Sequence, residues 1–348
     1  MDTLTHGLSG VLVCRSLSPS AGFDGRLMLV GFFSSAFPDI DYLITWIDPL
    51  VYLNLHQGWT HSLILLPLWA LLVSAVLWPL AGKALGARKL FVLSAAGITI
   101  HILGDVITSY GTQVLVPLST KRLALDYTFV IDAYLSALVV LAIVTSAVKK
   151  SRLLAALGLA TLACYVGLQG LLHQRAIDLA KQRSQERTVV RALPQPFSPC
   201  NWKLVVQRDE RYEEAYVTLC DSLPSPLAFY PETWPLSAAI SAYHPPNAAP
   251  WFRHSRYGDE PVARIIAGQA WNQGLLKGFR EFAELPALLQ VEETVDETCV
   301  WFTDLRFTYP AMPPAFRYGM CRDAKHDGWR LYRLRLCPMG QRQALTRW

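Results

Sequence analysis

Apolar and polar positions divide this chain into two halves. Ser62–Gly82 and Leu153–Leu172 are uncharged apolar runs of the length a helix needs to cross a bilayer core, about 20 residues for ~30 Å. Leu90–Gly104 and Ala133–Val148 are slightly shorter and adjoin Asp105 and Asp132. Gly7–Val13 and Leu27–Phe37 are too short to cross alone and predict short helices packed against the others, or re-entrant segments. The pattern changes after His173: the chain is polar through Arg191, as in a helix continuing out of the membrane, until Pro194, Pro196 and Pro199 interrupt it. Further on, Trp301, Thr303, Leu305 and Phe307 alternate with Asp304 and Arg306, and Tyr332, Leu334 and Leu336 alternate with Arg333 and Arg335, which is strand periodicity. Residues 263–284 read as helix. The expected architecture is an all-α multi-span membrane domain over 1–174, with four clear spans plus one or two short apolar helices. A helical extension and Pro-rich linker follow over 175–199, and an α+β soluble domain over 200–348.

Composition sharpens that division. The chain is 52% hydrophobic and 17% charged, against about 25% charged in an ordinary soluble domain. Residues 1–174 hold 10 of the 32 Lys and Arg and 8 of the 27 acids, all eight of them Asp; the first Glu is Glu186. A net charge of +5 with scattered Lys and Arg carries no nucleic-acid signature. Met1-Asp2-Thr3 lacks the basic start of a cleavable signal peptide. Lys83, Arg88 and Lys89, and again Lys149, Lys150 and Arg152, sit in short loops that the positive-inside rule places in the cytoplasm, with Arg15 and Arg26 on the same side. Residues 38–61, 105–132 and the whole C-terminal part are then external, with Lys121 and Arg122 a mild exception. The expected location is a bacterial-type inner membrane with the C-terminal domain on the periplasmic side. Among Cys200, Cys220, Cys299, Cys321 and Cys337, that compartment predicts one or two disulfides, whereas Cys14 and Cys164 fall in apolar runs and read as inert core residues. His244, His254 and His326 are dispersed and read as structural.

The chemistry-bearing residues cluster in the first half. His101 and Asp105 are one helical turn apart, so both project from one face near the outer end of a span. A carboxylate buried there needs a partner, and a dication held by imidazole and carboxylate supplies one. His61 lies where an outer loop enters the next span, which Thr60 or Ser62 is placed to cap. Of His56 and His61 one is expected to ligate, leaving the other for a second metal or the substrate. Asp39 and Asp41 follow Pro38 and point the same way in extended chain, so that one ligates while the other orients a ligating histidine. Asp48 fits a turn, and Asp126 and Asp132 precede a helix whose N-terminus favours an acid. His/carboxylate ligation without thiolate suits Zn²⁺ first, then Mn²⁺ or Fe²⁺. A spare Asp is a candidate general base.

In this order the patches His6…Pro38-Asp39-Ile40-Asp41…Thr60-His61-Ser62…His101-x-x-Gly104-Asp105 resemble the YdjM-like predicted membrane-bound metal-dependent hydrolases, over roughly residues 1–150. That family is distantly similar to zinc-dependent phospholipases C and single-strand nucleases. The resemblance implies that Asp39 (or Asp41), His61, His101 and Asp105 hold one metal and that His6 matches a ligand of a further one. The soluble relatives carry another His just after the Gly-Asp pair. Here Val106–Thr112 has none, so one or two ions are expected rather than three. The expected site set is thus His6, Asp39, Asp41, His61, His101 and Asp105 for metal, with Asp41, His56 and Asp126 in catalytic roles.

The expected function is a hydrolase activating water on a zinc-type ion to cleave an ester or phosphoester at the outer membrane face. The bilayer is the expected partner and a lipid or phosphoester the expected substrate. Two alternatives stand beside it: a non-catalytic membrane-anchored binding or scaffold protein, and a cation- or proton-binding transporter.

Overall fold

A computed structural model describes the chain except for residues 19–23, 185–187, 221–236, 325–327, 337–339 and 346–348. His326 and Cys337 therefore lie outside the described residues. The rest forms two compact units, Met1–Leu43 with Leu55–His173, and Ile44–Asn54 with Gln174–Trp348.

The first unit is helical. Helix α1 (Thr3–Leu17) starts at the Asp2 cap and α2 (Gly25–Ala36) at the Asp24 cap. The chain continues from α2 as a 3₁₀ helix, Phe37–Trp46, so that Gly25–Trp46 is long and apolar enough to cross a membrane. Leu27–Phe37 was expected to be too short because Pro38, Asp39 and Asp41 break the apolar run; the helix tightens rather than ends there. Beyond α3 (Pro49–Leu55), α4 (Leu66–Leu77) passes through a π turn into α5 (Lys83–Leu85), making a second such segment. Helix α6 (Ala87–Val106) and α8 (Arg152–Arg183) also have that length, whereas α7 (Ala133–Val148) is shorter.

Helix α6 packs against α1, α2 and α4. Small residues allow the close approaches. A Cβ on Gly10 would lie 2.2 Å from the Gly31 carbonyl oxygen, and one on Gly31 would lie 2.6 Å from that of Gly10, so α1 and α2 touch backbone to backbone. Asp132 caps α7, accepting from the Tyr134 and Leu135 amides at 2.9 and 3.0 Å, and takes the Tyr165 hydroxyl at 2.7 Å. Cys14 is buried, but Cys164 is exposed, a correction to its reading as core: α8 buries little of its surface, so an apolar residue there faces outward.

The second unit is α+β. Ile44–Asn54 belongs to it although its hydropathy groups it with the membrane domain. Asp48 caps α3 through the Leu50 amide, and Asn54 donates to the Gly278 carbonyl at 2.8 Å. Strands β1 (Val189–Pro194), β2 (Asn201–Arg208), β3 (Arg211–Thr218) and β4 (Trp251–Ser255) form one antiparallel sheet in that order. Helix α9 (Ser237–Ser241) precedes β4. A second antiparallel sheet holds β5 (Pro286–Glu293), β6 (Glu297–Asp304), β7 (Arg317–Asp323), β8 (Trp329–Leu334) and β9 (Arg342–Ala344). The single helix expected over 263–284 is two, α10 (Pro261–Trp271) and α11 (Lys277–Phe282), separated by a 3₁₀ turn. Leu193, Val205 and Tyr212 from the first sheet pack with Leu285, Ala287 and Leu305. Among the described residues two disulfides form, Cys200–Cys220 and Cys299–Cys321, the latter joining directly paired strands.

Lys203 is fully buried and ties the two sheets together. Its Nζ donates to the Leu305 carbonyl at 2.7 Å and the Thr308 carbonyl at 2.6 Å, and lies 3.5 Å from Glu214. Burial alone would raise the Glu214 pKa. Lys203, with hydrogen bonds from His254 and Tyr216, outweighs that effect and holds it down to about 2.

Candidate metal centre

Four side chains from three segments of the first unit converge. Asp39 comes from the 3₁₀ extension of α2, His61 from a 3₁₀ turn at Trp59–His61, and His101 and Asp105 from successive turns of α6. One donor atom from each lies within 4.8 Å of every other. His61 Nε2 is 2.9 Å from His101 Nε2 and 3.0 Å from Asp105 Oδ2; His101 Nε2 is 3.2 Å from Asp105 Oδ2 and 3.6 Å from Asp39 Oδ1. Donor atoms around a tetrahedral ion with bonds of about 2.0–2.2 Å are spaced at roughly 3.3–3.6 Å, so the cluster is within a small adjustment of that arrangement.

The outer contacts decide what those atoms carry. His101 Nδ1 faces the Ser35 carbonyl at 2.5 Å. A carbonyl only accepts, so Nδ1 holds the proton and Nε2 presents a lone pair. Thr60 donates its hydroxyl proton to Asp41 Oδ2 at 3.0 Å and accepts from His61 Nδ1 at 2.9 Å, which makes His61 Nε2 a lone pair too. Two lone pairs therefore face each other beside a carboxylate. Asp105 Oδ2 is buried with no hydrogen-bond partner, and His61, His101 and Asp105 are at most 1% exposed. Such an assembly is repulsive on its own and fits a cation.

The surrounding residues set this geometry. Asp41 holds His56 Nδ1 at 2.7 Å and the Gln57 amide at 3.1 Å, so the structure places it behind the histidines rather than among the four converging donors. Thr3 donates to Asp39 Oδ2 at 2.5 Å. His6 stacks on His101 with ring centroids 3.7 Å apart, and its Nε2 lies 3.0 Å from Asp105 Oδ1, the oxygen that also accepts from the Met1 amine at 2.6 Å. His6 thus touches the opposite oxygen of Asp105 from the cluster. Gly104 leaves room for that approach: a Cβ there would lie 2.8 Å from Met1 Cε and 3.0 Å from His6 Cε1. Ser62 accepts from the Ile64 and Leu65 amides in the turn before α4; the helix itself starts at Leu66 behind Leu65 with no side-chain cap, so neither Thr60 nor Ser62 caps it. Asp126 is buried in a left-handed backbone conformation, φ 57°, and is not one of the four converging groups.

Sequence reading passed over three supporting groups: Thr60 as the relay between Asp41 and His61, the Ser35 carbonyl, and Arg122. The guanidinium of Arg122 donates to the carbonyls of His56 at 3.2 Å and Gly111 at 2.6 Å. A basic residue in a segment otherwise expected outside was the available signal. Thr60 was visible only as a cap candidate, and a backbone carbonyl leaves no trace in sequence.

A helical unit with apolar spans and a buried His/Asp cluster defines a membrane protein with a candidate metal centre. The chain matches the YdjM inner membrane protein family over residues 1–176 and belongs to it. It is also 28% identical over 141 residues to the Bacillus subtilis (strain 168) "Uncharacterized protein YfhP", covering 39% of this chain and 43% of that relative. The chain thus matches less than half the length of that curated relative. No solved structure matches.

Proposed function

We propose that this protein is a membrane-bound hydrolase using one divalent cation, Zn²⁺ in first place, held by Asp39, His61, His101 and Asp105 at the outer face of the inner membrane. The observation that carries this reading is the convergence of two imidazole lone pairs on the partnerless Asp105 Oδ2. When bound, such an ion supplies Lewis acidity toward an ester or phosphoester and acidifies water beside it. The chain supplies the rest. The Ser35 carbonyl and the Thr60–Asp41 pair lock the two ligand imidazoles. Asp41 holds His56 by Nδ1, the arrangement in which a carboxylate orients an imidazole to take a proton at Nε2. The His56 ring is 5.9 Å from that of His61, and His56 and Asp39, at 13% and 14% exposure, form the accessible side.

The basic loops around Lys83–Lys89 and Lys149–Arg152 support a cytoplasmic position for those helix ends, and so a periplasmic one for the site and the C-terminal part. Exposed Trp59, Leu63, Ile64, Leu115 and Leu118 surround the site's own segments, which supports a lipid or another membrane-level phosphoester as substrate.

Elemental analysis of the detergent-purified full chain, beside Asp105→Asn and His101→Ala, tests the site. About one transition-metal ion in the wild type and none in folded variants is expected. Hydrolysis of bis(p-nitrophenyl) phosphate and a short-chain phosphatidylcholine then tests the activity. A wild type that holds no metal and takes none up ends the reading, and metal without turnover of either probe ends its hydrolytic part.

A further inference from the structure

The second unit has a different concavity, about 890 Å³, on the outer face of its four-stranded sheet, lined by residues of β2, β3, β4 and the end of α8. Sites for small ligands have volumes of about 300–1,000 Å³. Four of its lining residues are arginines, Arg183, Arg208, Arg211 and Arg253, against the two acids Glu213 and Asp259.

The register explains how they gather. Arg211 and Glu213 alternate onto one face of β3; Arg208 is directly opposite Arg211, and Arg253 directly opposite Glu213. Like charges paired across strands destabilise a sheet. Glu210, in the turn between Arg208 and Arg211, lies 3.0 Å from Arg264 and 3.9 Å from Arg256. Helix α8 brings Arg183 to the same place, where its guanidinium lies 5.2 Å from the Trp251 ring centroid and 3.1 Å from Glu213. Glu213 also lies 3.6 Å from Arg253, so this carboxylate touches two of the four arginines. The fold therefore gathers four guanidinium groups around one concavity, and their planar forks suit the paired oxygens of a phosphoryl group.

We propose that this concavity binds a phosphoryl anion carrying about two negative charges, with Arg208, Arg211, Arg253 and Arg183 as its cradle and Glu213 as the internal counter-ion it displaces. The group belongs either to a soluble phosphate compound or to an anionic lipid headgroup. The site is separate from the metal cluster and stands without the hydrolase reading.

Calorimetry with inorganic pyrophosphate, on the full chain in phosphatidylcholine nanodiscs, reads this directly. The wild type binds, Arg211→Gln weakens binding by about tenfold, the loss of one charge-assisted contact, and Arg330→Gln, the same charge change on β8, leaves it unaltered. Glu213→Gln tightens binding several-fold, a gain that misfolding cannot produce. Adding phosphatidic acid, a phosphomonoester lipid, to the nanodiscs separates the sources: competition identifies a lipid headgroup, and unchanged affinity a soluble ligand. The proposal is overturned if the wild type does not bind, if Arg330→Gln weakens binding as much as Arg211→Gln, or if Glu213→Gln weakens it.

Discussion

Both units bury charged groups, and they resolve the problem in opposite ways. In the second unit the buried acids Glu214 and Asp304 each have a cation from the chain itself. Glu214 has Lys203, and Asp304 is paired with Arg306 at 2.8 Å, while that guanidinium also donates to Glu284 and to the Phe282 carbonyl and lies over the Phe282 and Phe307 rings. In the first unit Asp105 Oδ2, equally buried, meets two imidazole lone pairs and no hydrogen-bond donor. Burial of charge is thus not by itself a sign of function. What distinguishes the first cluster is that one oxygen of Asp105 faces imidazole lone pairs while only its other oxygen holds a cation of the chain, the Met1 amine.

Four outcomes would break or sharpen that contrast. The largest concerns the first cluster: Asp105→Asn keeps the shape, removes the charge and is expected to abolish metal retention, at a cost in stability because the buried Met1 amine loses its carboxylate partner. Metal content and thermal denaturation measured together check this. The second unit's cluster is read by stability alone. Lys203→Met leaves Glu214 buried without its cation and is expected to destabilise the second unit by about 3–5 kcal/mol, with Lys203→Met/Glu214→Gln recovering part of the loss, as read from denaturant unfolding.

The third outcome is a pH dependence. Glu214 is depressed from 4.5 to about 2 in the folded state. Its contribution is therefore complete above pH 4.5 and is lost as pH falls toward 2. It amounts to at most about 3 kcal/mol, since desolvation lowers the Lys203 pKa and offsets part of it. Glu214→Gln should flatten the acid limb of the second unit's stability profile; an unchanged limb would mean Lys203 does not govern that carboxylate. The smallest effect is at the relay: Thr60→Val removes the hydroxyl between Asp41 and His61, and metal affinity should fall about ten- to a hundredfold without loss of the fold, as competition with a chelator would show.

How much of this was readable beforehand follows from the range of each signal. The His101/Asp105 pair depends on one helical turn, and spans and strands depend on local periodicity, so those were legible. Asp39 and Asp41 were indistinguishable as two acids after a proline. A 3₁₀ helix rather than extended chain separates them, sending Asp39 toward His101 and Asp41 toward His56 and Thr60. Gly104 was visible as a motif position, but its reason, room for the His6 ring, is a contact between α1 and α6. Asp126 carried no local mark to separate it from the other outer acids.

The sequence alone determined the division into a membrane half and a polar half, the candidate ligand types and the end of the helices on which they sit. Those properties follow from hydropathy and spacing along one segment. Only the tertiary structure decided which donors converge, which imidazole nitrogen carries the proton, and that Ile44–Asn54 belongs with the second unit. It also decided that Arg183 and Arg253 face the same concavity as the hairpin pair Arg208 and Arg211. Each of these depends on which segments meet, and that is settled by packing and strand register.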